Sequence, residues 1–138
     1  MDGTGPIDLV VDTSAILAVL LNEPPRPAIL DATRGARALA APSLPWEVGN
    51  ALVALLRRRR IRGRAMLDAW ESFIRIPVRY VAVDVPEALR IAETHGIYAY
   101  DAYVIAAARS AGVALLTLDR AIARAGRNAG ADVMEVAP

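Results

Sequence analysis

Four carboxylates stand at positions in this sequence where they could act on one substrate. Asp12 follows a short apolar run, and Asp119 follows a second apolar run at residues 113–118. A continuous apolar run is typical of a strand buried on both faces, and ligands bind at the carboxyl ends of such strands. Glu47 lies in the first turn of a predicted helix, and Asp101 opens another. If the two strands are neighbours, Asp12 and Asp119 meet at one edge of the sheet.

Carboxylates that share a partly buried cleft repel one another and raise one another's pKa. A divalent cation held by carboxylates and waters relieves this repulsion. Such a cation can activate a bound water and offset the charge that builds up on a phosphoryl group. We therefore predict a metal-dependent phosphodiesterase or phosphatase. Thr13, Ser14 and Thr117 are the polar side chains that we expect to orient the carboxylates.

Each carboxylate also has a purely structural interpretation. In this alternative, Asp12 or one of the two hydroxyl residues after it only caps the following helix, and Asp101 caps another. Glu47 is not explained by a capping box, because a box opened by Ser43 needs the acid at position 46, which is Trp46. Its structural alternative is a solvated charge favoured by the helix dipole. The four acids together favour a site more than any one of them does.

The composition excludes several classes of chemistry. The 138 residues include no lysine, no cysteine and a single histidine, His95. This excludes a P-loop lysine, a Schiff-base lysine, a thiolate zinc site, a cysteine nucleophile and a nuclease with two histidines. Any metal must be held by oxygen ligands, which suits Mg²⁺ or Mn²⁺. The net charge of +1 gives no strong overall field for nucleic acid or membrane.

The elements that must position the acids alternate between strand and helix. This alternation predicts βαβ units, a parallel sheet and a three-layer α/β domain, and the length fits a single domain over residues 1–138. Strands are predicted at 9–11, 38–41, 79–83, 113–118 and 133–136, and helices at 15–21, 28–34, 44–56, 64–74, 86–95, 101–111 and 122–125. Ser43 is the predicted N-cap of the long third helix, and Gly96 and Gly112 end two later helices.

Residues 1–6 are predicted to be a loose tail. The start of the chain has no basic segment that would indicate a signal peptide, and its longest early apolar run is too short to span a bilayer. We therefore expect a cytoplasmic protein that does not interact with membranes.

Other conspicuous residues have structural rather than functional explanations. The arginine run at 57–60 is expected to be helical and to splay around the helix end, where its charges complement the helix dipole. Contact with RNA phosphates is the functional alternative. His95 is expected to complement the end of its own helix. Trp46 and Trp70 are predicted to be core or dimer contacts rather than base-stacking groups.

Four short motifs, taken in order, resemble the PIN-domain superfamily and, within it, the VapC-type toxins of toxin–antitoxin pairs. They are VDTSA at 11–15, WEVGNAL at 46–52, YDAY at 100–103 and LTLD at 116–119. The resemblance covers nearly the whole chain. It implies a five-stranded, mainly parallel sheet flanked by helices. It also implies an endoribonuclease that depends on Mg²⁺ or Mn²⁺, usually forms a homodimer and is inhibited by a cognate antitoxin that binds over the site.

The resemblance also implies roles for individual residues. Asp12, Glu47, Asp101 and Asp119 would be the catalytic, metal-binding acids, with Thr13 or Ser14 and Thr117 in support. One departure is that residues 120–122 supply no further carboxylate after Asp119. A second metal would therefore be weakly held and would arrive with the RNA.

Three other functions are alternatives to this interpretation. A phosphatase of the haloacid-dehalogenase kind would need an acid where Ser14 stands and a lysine, which the chain lacks. A non-catalytic PIN module that binds RNA or acts as a scaffold is typically marked by loss of acids, and all four acids are present. A nuclease that acts on DNA is the third rival, because no residue distinguishes RNA from DNA.

Overall fold

Strands and helices alternate throughout residues 7–136, the part of the chain that the computed structural model describes. The predicted tail at 1–6 lies outside these residues. The elements are β1 (Ile7–Val11), α1 (Thr13–Leu20), α2 (Arg26–Ala32), β2 (Ala36–Ala40), α3 (Leu44–Arg57), α4 (Gly63–Ile74), β3 (Val78–Tyr80), α5 (Val85–His95), α6 (Ala99–Ala111), β4 (Ala114–Thr117), α7 (Arg120–Asn128) and β5 (Val133–Glu135).

The five strands form one parallel sheet in the order β3-β2-β1-β4-β5. The predicted three-layer α/β fold with a five-stranded parallel sheet is confirmed. Strand β1 is central, and its residue Val11 is paired with Leu116 of β4. Because the strands are parallel neighbours, the residues that follow them emerge at the same edge of the sheet. This pairing brings Asp12 and Asp119 to one edge, as the sequence predicts.

Both faces of the sheet are covered by helices. Val10 belongs to a core cluster with residues of α5, α6 and α7, whereas Val11 belongs to a second cluster with residues of α1, α3 and α4. Consecutive side chains of a strand point to opposite faces, so the adjacent valines Val10 and Val11 pack into different cores. On the first face, Ala102, Ala106 and Ala107 of α6 are fully buried. Their small side chains allow α6 to pack closely against the sheet.

Several boundaries differ from the predictions. Helix α3 ends at Arg57, and Arg59 has a φ of 57°, so the arginine run is not one continuous helical segment. Strand β3 ends at Tyr80, before the predicted end at residue 83, although the Val81 amide still donates to the Ala40 carbonyl at 2.9 Å. Helix α7 is longer than the predicted 122–125, because Asp119 starts it directly after β4. No helix within residues 7–136 is both long and apolar enough to cross a membrane.

Candidate metal-binding active site

Asp12 is the most buried of the four acids, with 4% of its surface exposed. It directly follows β1, and its Oδ1 atom accepts hydrogen bonds from the Ser14 hydroxyl at 2.7 Å and from the Ala15 amide at 3.0 Å. Burial raises the pKa of Asp12, and these hydrogen bonds oppose the shift. The capping interpretation is therefore right for Asp12, but it does not remove the carboxylate from the site. Its Oδ2 atom accepts a hydrogen bond from outside helix α1.

That outside donor is the hydroxyl of Thr117, at the end of β4. The same hydroxyl accepts a hydrogen bond from the Asp119 amide at 3.0 Å, and Ser14 accepts one from the Leu118 amide at 3.0 Å. Two hydroxyls thus connect Asp12 to the turn that carries Asp119. The structure places Ser14 and Thr117 against Asp12, where polar side chains can fix the orientation of a carboxylate.

Glu47 lies in the first turn of α3 and is oriented by two hydroxyls. Its Oε2 atom accepts a hydrogen bond from Ser43 at 2.6 Å, and its Oε1 atom accepts one from Thr13 at 3.3 Å. Ser43 is the N-cap residue of α3, as predicted, but its side chain makes no capping bond and donates to Glu47 instead. Sequence reasoning missed this role of Ser43, although residues four apart face each other on a helix. Thr13 supports Glu47 rather than Asp12.

Asp101 lies in the first turn of α6 and is not its cap. The N-cap residue is Tyr98, so the capping interpretation of Asp101 is wrong. The pKa of Asp101 is raised, first by burial and then by the negative charges of Asp119, Glu47 and Asp12. These three acids come from three different segments of the chain. The structure therefore places Asp101 within range of the negative charges of the other three predicted acids.

Asp119 is the exposed member of the group and the N-cap of α7. Its Oδ1 atom accepts hydrogen bonds from the Ala121 amide at 2.8 Å and the Ile122 amide at 3.1 Å. The negative charge of Asp119 also contributes to the raised pKa of Asp12. All four acids therefore lie at helix starts, where the helix dipole favours negative charge.

Glu47 lines a cleft of about 450 Å³ that also contains groups not predicted to belong to the site, whereas Asp119 and Thr117 line a separate cavity of about 470 Å³. The cleft with Glu47 is lined by Thr13, Trp46, Glu47, Asn50 and Tyr100. Trp46, which was predicted to be a core or dimer contact, is 76% exposed. The core interpretation of Trp46 is wrong, whereas Trp70 does pack against the core beside Phe73.

The donor set suits a hard divalent cation held partly by water. Among residues 7–136, no three acidic or histidine side chains are grouped closely enough to hold a metal ion by themselves. Mg²⁺ usually keeps several waters and is held by only one or two carboxylates, so it does not require a dense protein cage. The available ligands are oxygens, and their mutual repulsion is the kind that a cation relieves. The residues present therefore fit Mg²⁺ or Mn²⁺.

The remaining candidates lie away from the acids. The exposed arginine run begins at Arg57, ten residues after Glu47, which corresponds to about 15 Å along α3. His95 is the last residue of α5, the position that the sequence predicts. It also lines a different surface cavity, together with Arg90 and Arg109. Neither group belongs to the carboxylate cluster.

Comparison with known proteins adds three findings. A family model described as PIN domain matches residues 9–128. Ribonuclease VapC3 of Pyrobaculum aerophilum is 35% identical over 120 residues, which is 83% of this chain and 92% of that protein.

Two crystal structures share the fold. The protein PAE2754 of Pyrobaculum aerophilum has a TM-score of 0.72 at 22% identity and covers 94% of this chain and 89% of its own. VapBC2 of Rickettsia felis, bound to a DNA fragment from its promoter, has a TM-score of 0.67 at 10% identity and covers 95% of this chain and 100% of its own.

Proposed function

The chain belongs to the PIN-domain family and to its VapC ribonucleases, and from this premise we propose that it is a toxin of a type II toxin–antitoxin system that cleaves RNA with Mg²⁺. Mn²⁺ would substitute, since it has the same preference for oxygen ligands. The proposed metal-binding and catalytic residues are Asp12, Glu47, Asp101 and Asp119. Thr13, Ser14 and Thr117 support them, and Ser43 joins this set on the basis of its contact with Glu47.

One observation carries the proposal. The pKa of Asp101 is raised by burial and by the charges of the three other acids. Four carboxylates that repel one another do not stabilise a domain, and a bound cation would relieve that repulsion. A divalent ion bound there would lower the pKa of a coordinated water and offset charge on the phosphoryl oxygens.

Other side chains of this chain orient the proposed metal-binding carboxylates. Ser14 and Thr117 hold the Asp12 carboxylate in one orientation, and Ser43 and Thr13 do the same for Glu47. Orientation of this kind reduces the reorganisation needed when substrate binds. Asp119 is the most exposed of the four acids, and the phosphodiester would approach from its side.

A cleavage assay tests the proposal. Purified protein is incubated with total cellular RNA in Mg²⁺, in Mn²⁺ and in chelator, and the wild type is compared with Asp101→Asn. We expect discrete fragments only with a metal and only with Asp101 present. The matched control is Asp68→Asn on α4, which alters an exposed aspartate outside the cluster and is expected to cleave normally.

Absence of cleavage by a folded sample free of antitoxin, in every metal, would contradict the nuclease proposal. That outcome would favour the alternative of a non-catalytic PIN module that binds RNA or acts as a scaffold. Cleavage of single-stranded DNA at the same rate as RNA would favour a DNA-directed nuclease.

The proposed partners are an RNA substrate, a cognate VapB-type antitoxin and a second copy of this chain. VapBC2 of Rickettsia felis, which shares the fold, supports the antitoxin partner. The proposed location is the cytoplasm, where RNA and the antitoxin meet the toxin. We expect the purified chain to have the mass of a homodimer in solution and to lose its cleavage activity when the antitoxin is added in equimolar amount.

A further inference from the structure

Six of the 16 arginines lie within eight consecutive residues, 57–64, which connect α3 to α4. We refer to residues 57–64 as the basic turn. Its arginines, all of them exposed, are Arg57, Arg58, Arg59, Arg60, Arg62 and Arg64. Every ion pair found within residues 7–136 lies elsewhere in the fold. The basic turn therefore carries six positive charges that no acid in this part of the chain neutralises.

Charge is distributed very unevenly along the chain. The basic turn contains no acidic residue, so the other 130 residues have ten arginines against all 15 acidic residues, a formal net charge of −5. The whole chain has a net charge of +1, which conceals this division. Like charges crowded into one turn repel one another and destabilise the compact state. Charge asymmetry of this kind indicates a polyanionic partner.

Arg59 has a backbone conformation that is unfavourable for its residue type. Its φ is 57°, in the left-handed region. The Arg59 amide donates to the Leu56 carbonyl at 3.0 Å, and the Arg60 amide donates to the Leu55 carbonyl at 2.9 Å. These two bonds form the usual end of a helix, in which glycine takes the left-handed position, as it does after α5 and α6. An arginine there costs free energy, and strain of this kind is concentrated at functional sites.

The start of α4 is also unfavourable for positive charge. Arg62 is the N-cap residue of α4 but makes no capping bond, Arg64 lies in the first turn, and that turn contains no acidic residue. The start of a helix carries partial positive charge, which repels arginine. The helix dipole can explain Arg57, at the end of α3, but it opposes Arg62 and Arg64. An anion bound at the basic turn would offset both this repulsion and the repulsion among the arginines.

The basic turn has a fixed position relative to the acids. Ile61 packs against the core cluster that includes Leu52 of α3 and Phe73 of α4. Helix α3 carries Glu47 in its first turn and Arg57 at its end, ten residues later, which corresponds to about 15 Å. A nucleic-acid strand rises about 3.4 Å per stacked nucleotide, so about five nucleotides bridge this distance.

The phosphate backbone of RNA is the polyanion that fits this arrangement. A guanidinium group stays charged and can donate two parallel hydrogen bonds to one phosphate. The four acids of the candidate site repel phosphates until a cation binds, so attraction of a strand has to come from another part of the surface. The basic turn is the part of the described chain where unneutralised positive charge is concentrated.

We propose that the basic turn binds the backbone of the RNA outside the cleavage site, about five nucleotides from the bond that is cleaved. This inference rests on the proposed function, because the ligand is the flanking part of the RNA substrate. It gives the arginine run the role of phosphate contact, in place of the helix-end role expected from the sequence.

Binding in chelator tests the inference without cleavage. The affinity for a labelled single-stranded RNA of about 20 nucleotides is measured by fluorescence anisotropy at several salt concentrations. The double variant Arg60→Gln/Arg62→Gln is expected to bind about ten-fold more weakly than wild type. Its slope of log Kd against log salt concentration should fall by about 1.4, because each phosphate contact to a single strand contributes about 0.7.

The matched control is Arg75→Gln/Arg90→Gln, which removes the same charge from two exposed arginines outside the basic turn. This control should bind RNA like the wild type, with an unchanged salt slope. Equal affinities and equal slopes in the two double variants would overturn the inference, because they would show that only the net charge matters.

Arg59→Gly separates binding from folding. Glycine relieves the left-handed strain and removes one charge, so the melting temperature should rise by about 2–4 °C while RNA binds about three-fold more weakly. A variant with wild-type affinity for RNA would contradict the inference. A lower melting temperature would contradict it as well, because the arginine would then hold the turn together.

The length of the RNA tests the position of the contact. An RNA cleaved in the assay above is shortened to about three nucleotides on each side of the cleaved bond, too few to reach the basic turn. Shortening should raise the wild-type KM about ten-fold with kcat unchanged, and it should leave the KM of Arg60→Gln/Arg62→Gln unchanged. Equal wild-type KM for both RNAs would overturn the inference and leave the nuclease proposal intact.

Two further outcomes separate this inference from its alternatives. If RNA binding depends on the basic turn but no metal supports cleavage, the proposed nuclease function fails and the RNA-binding surface remains. The competing partner is an acidic segment of the antitoxin. If Arg60→Gln/Arg62→Gln escapes inhibition by the antitoxin but binds RNA as the control does, the basic turn binds the antitoxin and the inference is wrong.

Discussion

The hydroxyl of Thr117 donates a hydrogen bond to the Oδ2 atom of Asp12, across a sequence separation of 105 residues. The same hydroxyl accepts the backbone amide of Asp119 at 3.0 Å. One side chain therefore fixes the relative positions of two acids that emerge from the neighbouring strands β1 and β4. This contact is the point at which the fold and the candidate site depend on each other most directly.

The first prediction removes that hydroxyl with Thr117→Val, which keeps the shape of the side chain. The buried Asp12 carboxylate loses a donor, so the free energy of unfolding should fall by about 1–3 kcal/mol at neutral pH. Cleavage should fall about 10- to 100-fold, because the orientation of Asp12 is no longer fixed. Urea denaturation and initial rates measure the two effects.

The matched control is Thr33→Val, which also removes a hydroxyl that donates to the protein, in this case to the Ile29 carbonyl at 2.7 Å. Thr33 lies at the end of α2, away from the acids. This variant should lose some stability and keep its activity. Full activity in Thr117→Val would show that the hydroxyl does not position Asp12.

The second prediction concerns Asp101→Asn, which should abolish cleavage and yet stabilise the metal-free protein. Burial and three neighbouring negative charges disfavour the ionised form of Asp101. The amide removes that repulsion, and the start of α6 does not depend on a capping bond from this residue. We expect a gain of up to about 1 kcal/mol in the free energy of unfolding, reduced by solvent screening. A clear loss of stability would show that Asp101 has a structural role.

The pattern of an apolar strand, an acidic residue and a helix was the sequence feature that predicted the structure best. The apolar runs before Asp12 and Asp119 are local features, and they predict buried parallel strands regardless of the rest of the chain. Gly96 and Gly112 likewise end α5 and α6 with φ values of 65° and 68°, as predicted, because the left-handed conformation favours glycine. Local rules were sufficient for these features.

The local rules were incomplete where the local backbone conformation or the choice of helix face decides the outcome. Ser43 stands at the N-cap position, but its φ of −77° and ψ of −11° are helical rather than extended, so its side chain does not accept a bond from the first-turn amides. Its hydroxyl instead donates to Glu47, one turn away, at 2.6 Å. The exposure of Trp46 depends on which face of α3 packs on α1 and α4, and neighbouring residues in the sequence do not determine that choice.

The third prediction is that divalent metal stabilises the folded protein. A ligand that binds only the folded state stabilises it by about 1.4 kcal/mol when its concentration is ten times Kd. Mg²⁺ or Mn²⁺ should therefore raise the melting temperature of the wild type, and the rise should be smaller or absent in Asp101→Asn. Sodium chloride at matched ionic strength controls for general screening of charge. An equal rise in both proteins would place the metal elsewhere.

The fourth prediction is that acid has opposite effects on activity and on the stability of the metal-free protein. The pKa values of Asp12 and Asp101 are raised, so both carboxylates protonate at a higher pH than ordinary aspartates do. Metal binding needs the ionised forms, so metal-supported cleavage should decline as pH falls through these raised values. Activity that stays constant down to the ordinary aspartate range, about pH 4, would contradict the assignment of both residues.

The sign for stability is the reverse. A folded-state pKa above the unfolded value means that the folded protein binds protons more tightly than the unfolded chain does. The contribution of Asp12 and Asp101 to stability is therefore complete at low pH and is lost as pH rises through the raised values. The metal-free wild type should become more stable on mild acidification, and Asp101→Asn should show less of this gain. Chemical denaturation at a series of pH values measures both curves.

The last prediction tests the contact that the sequence did not reveal, between Ser43 and Glu47. Ser43→Ala leaves Oε2 of Glu47 without its 2.6 Å donor, so only the longer bond from Thr13 remains to orient the carboxylate. Because Ser43 makes no capping bond, α3 itself should be little affected. We expect metal-supported cleavage to fall about 10- to 100-fold, with the metal titration shifted to higher concentration. Ser72→Ala, at an exposed position of α4, is the matched control and should behave as wild type. Equal activity in the two alanine variants would show that Glu47 needs no orientation by Ser43.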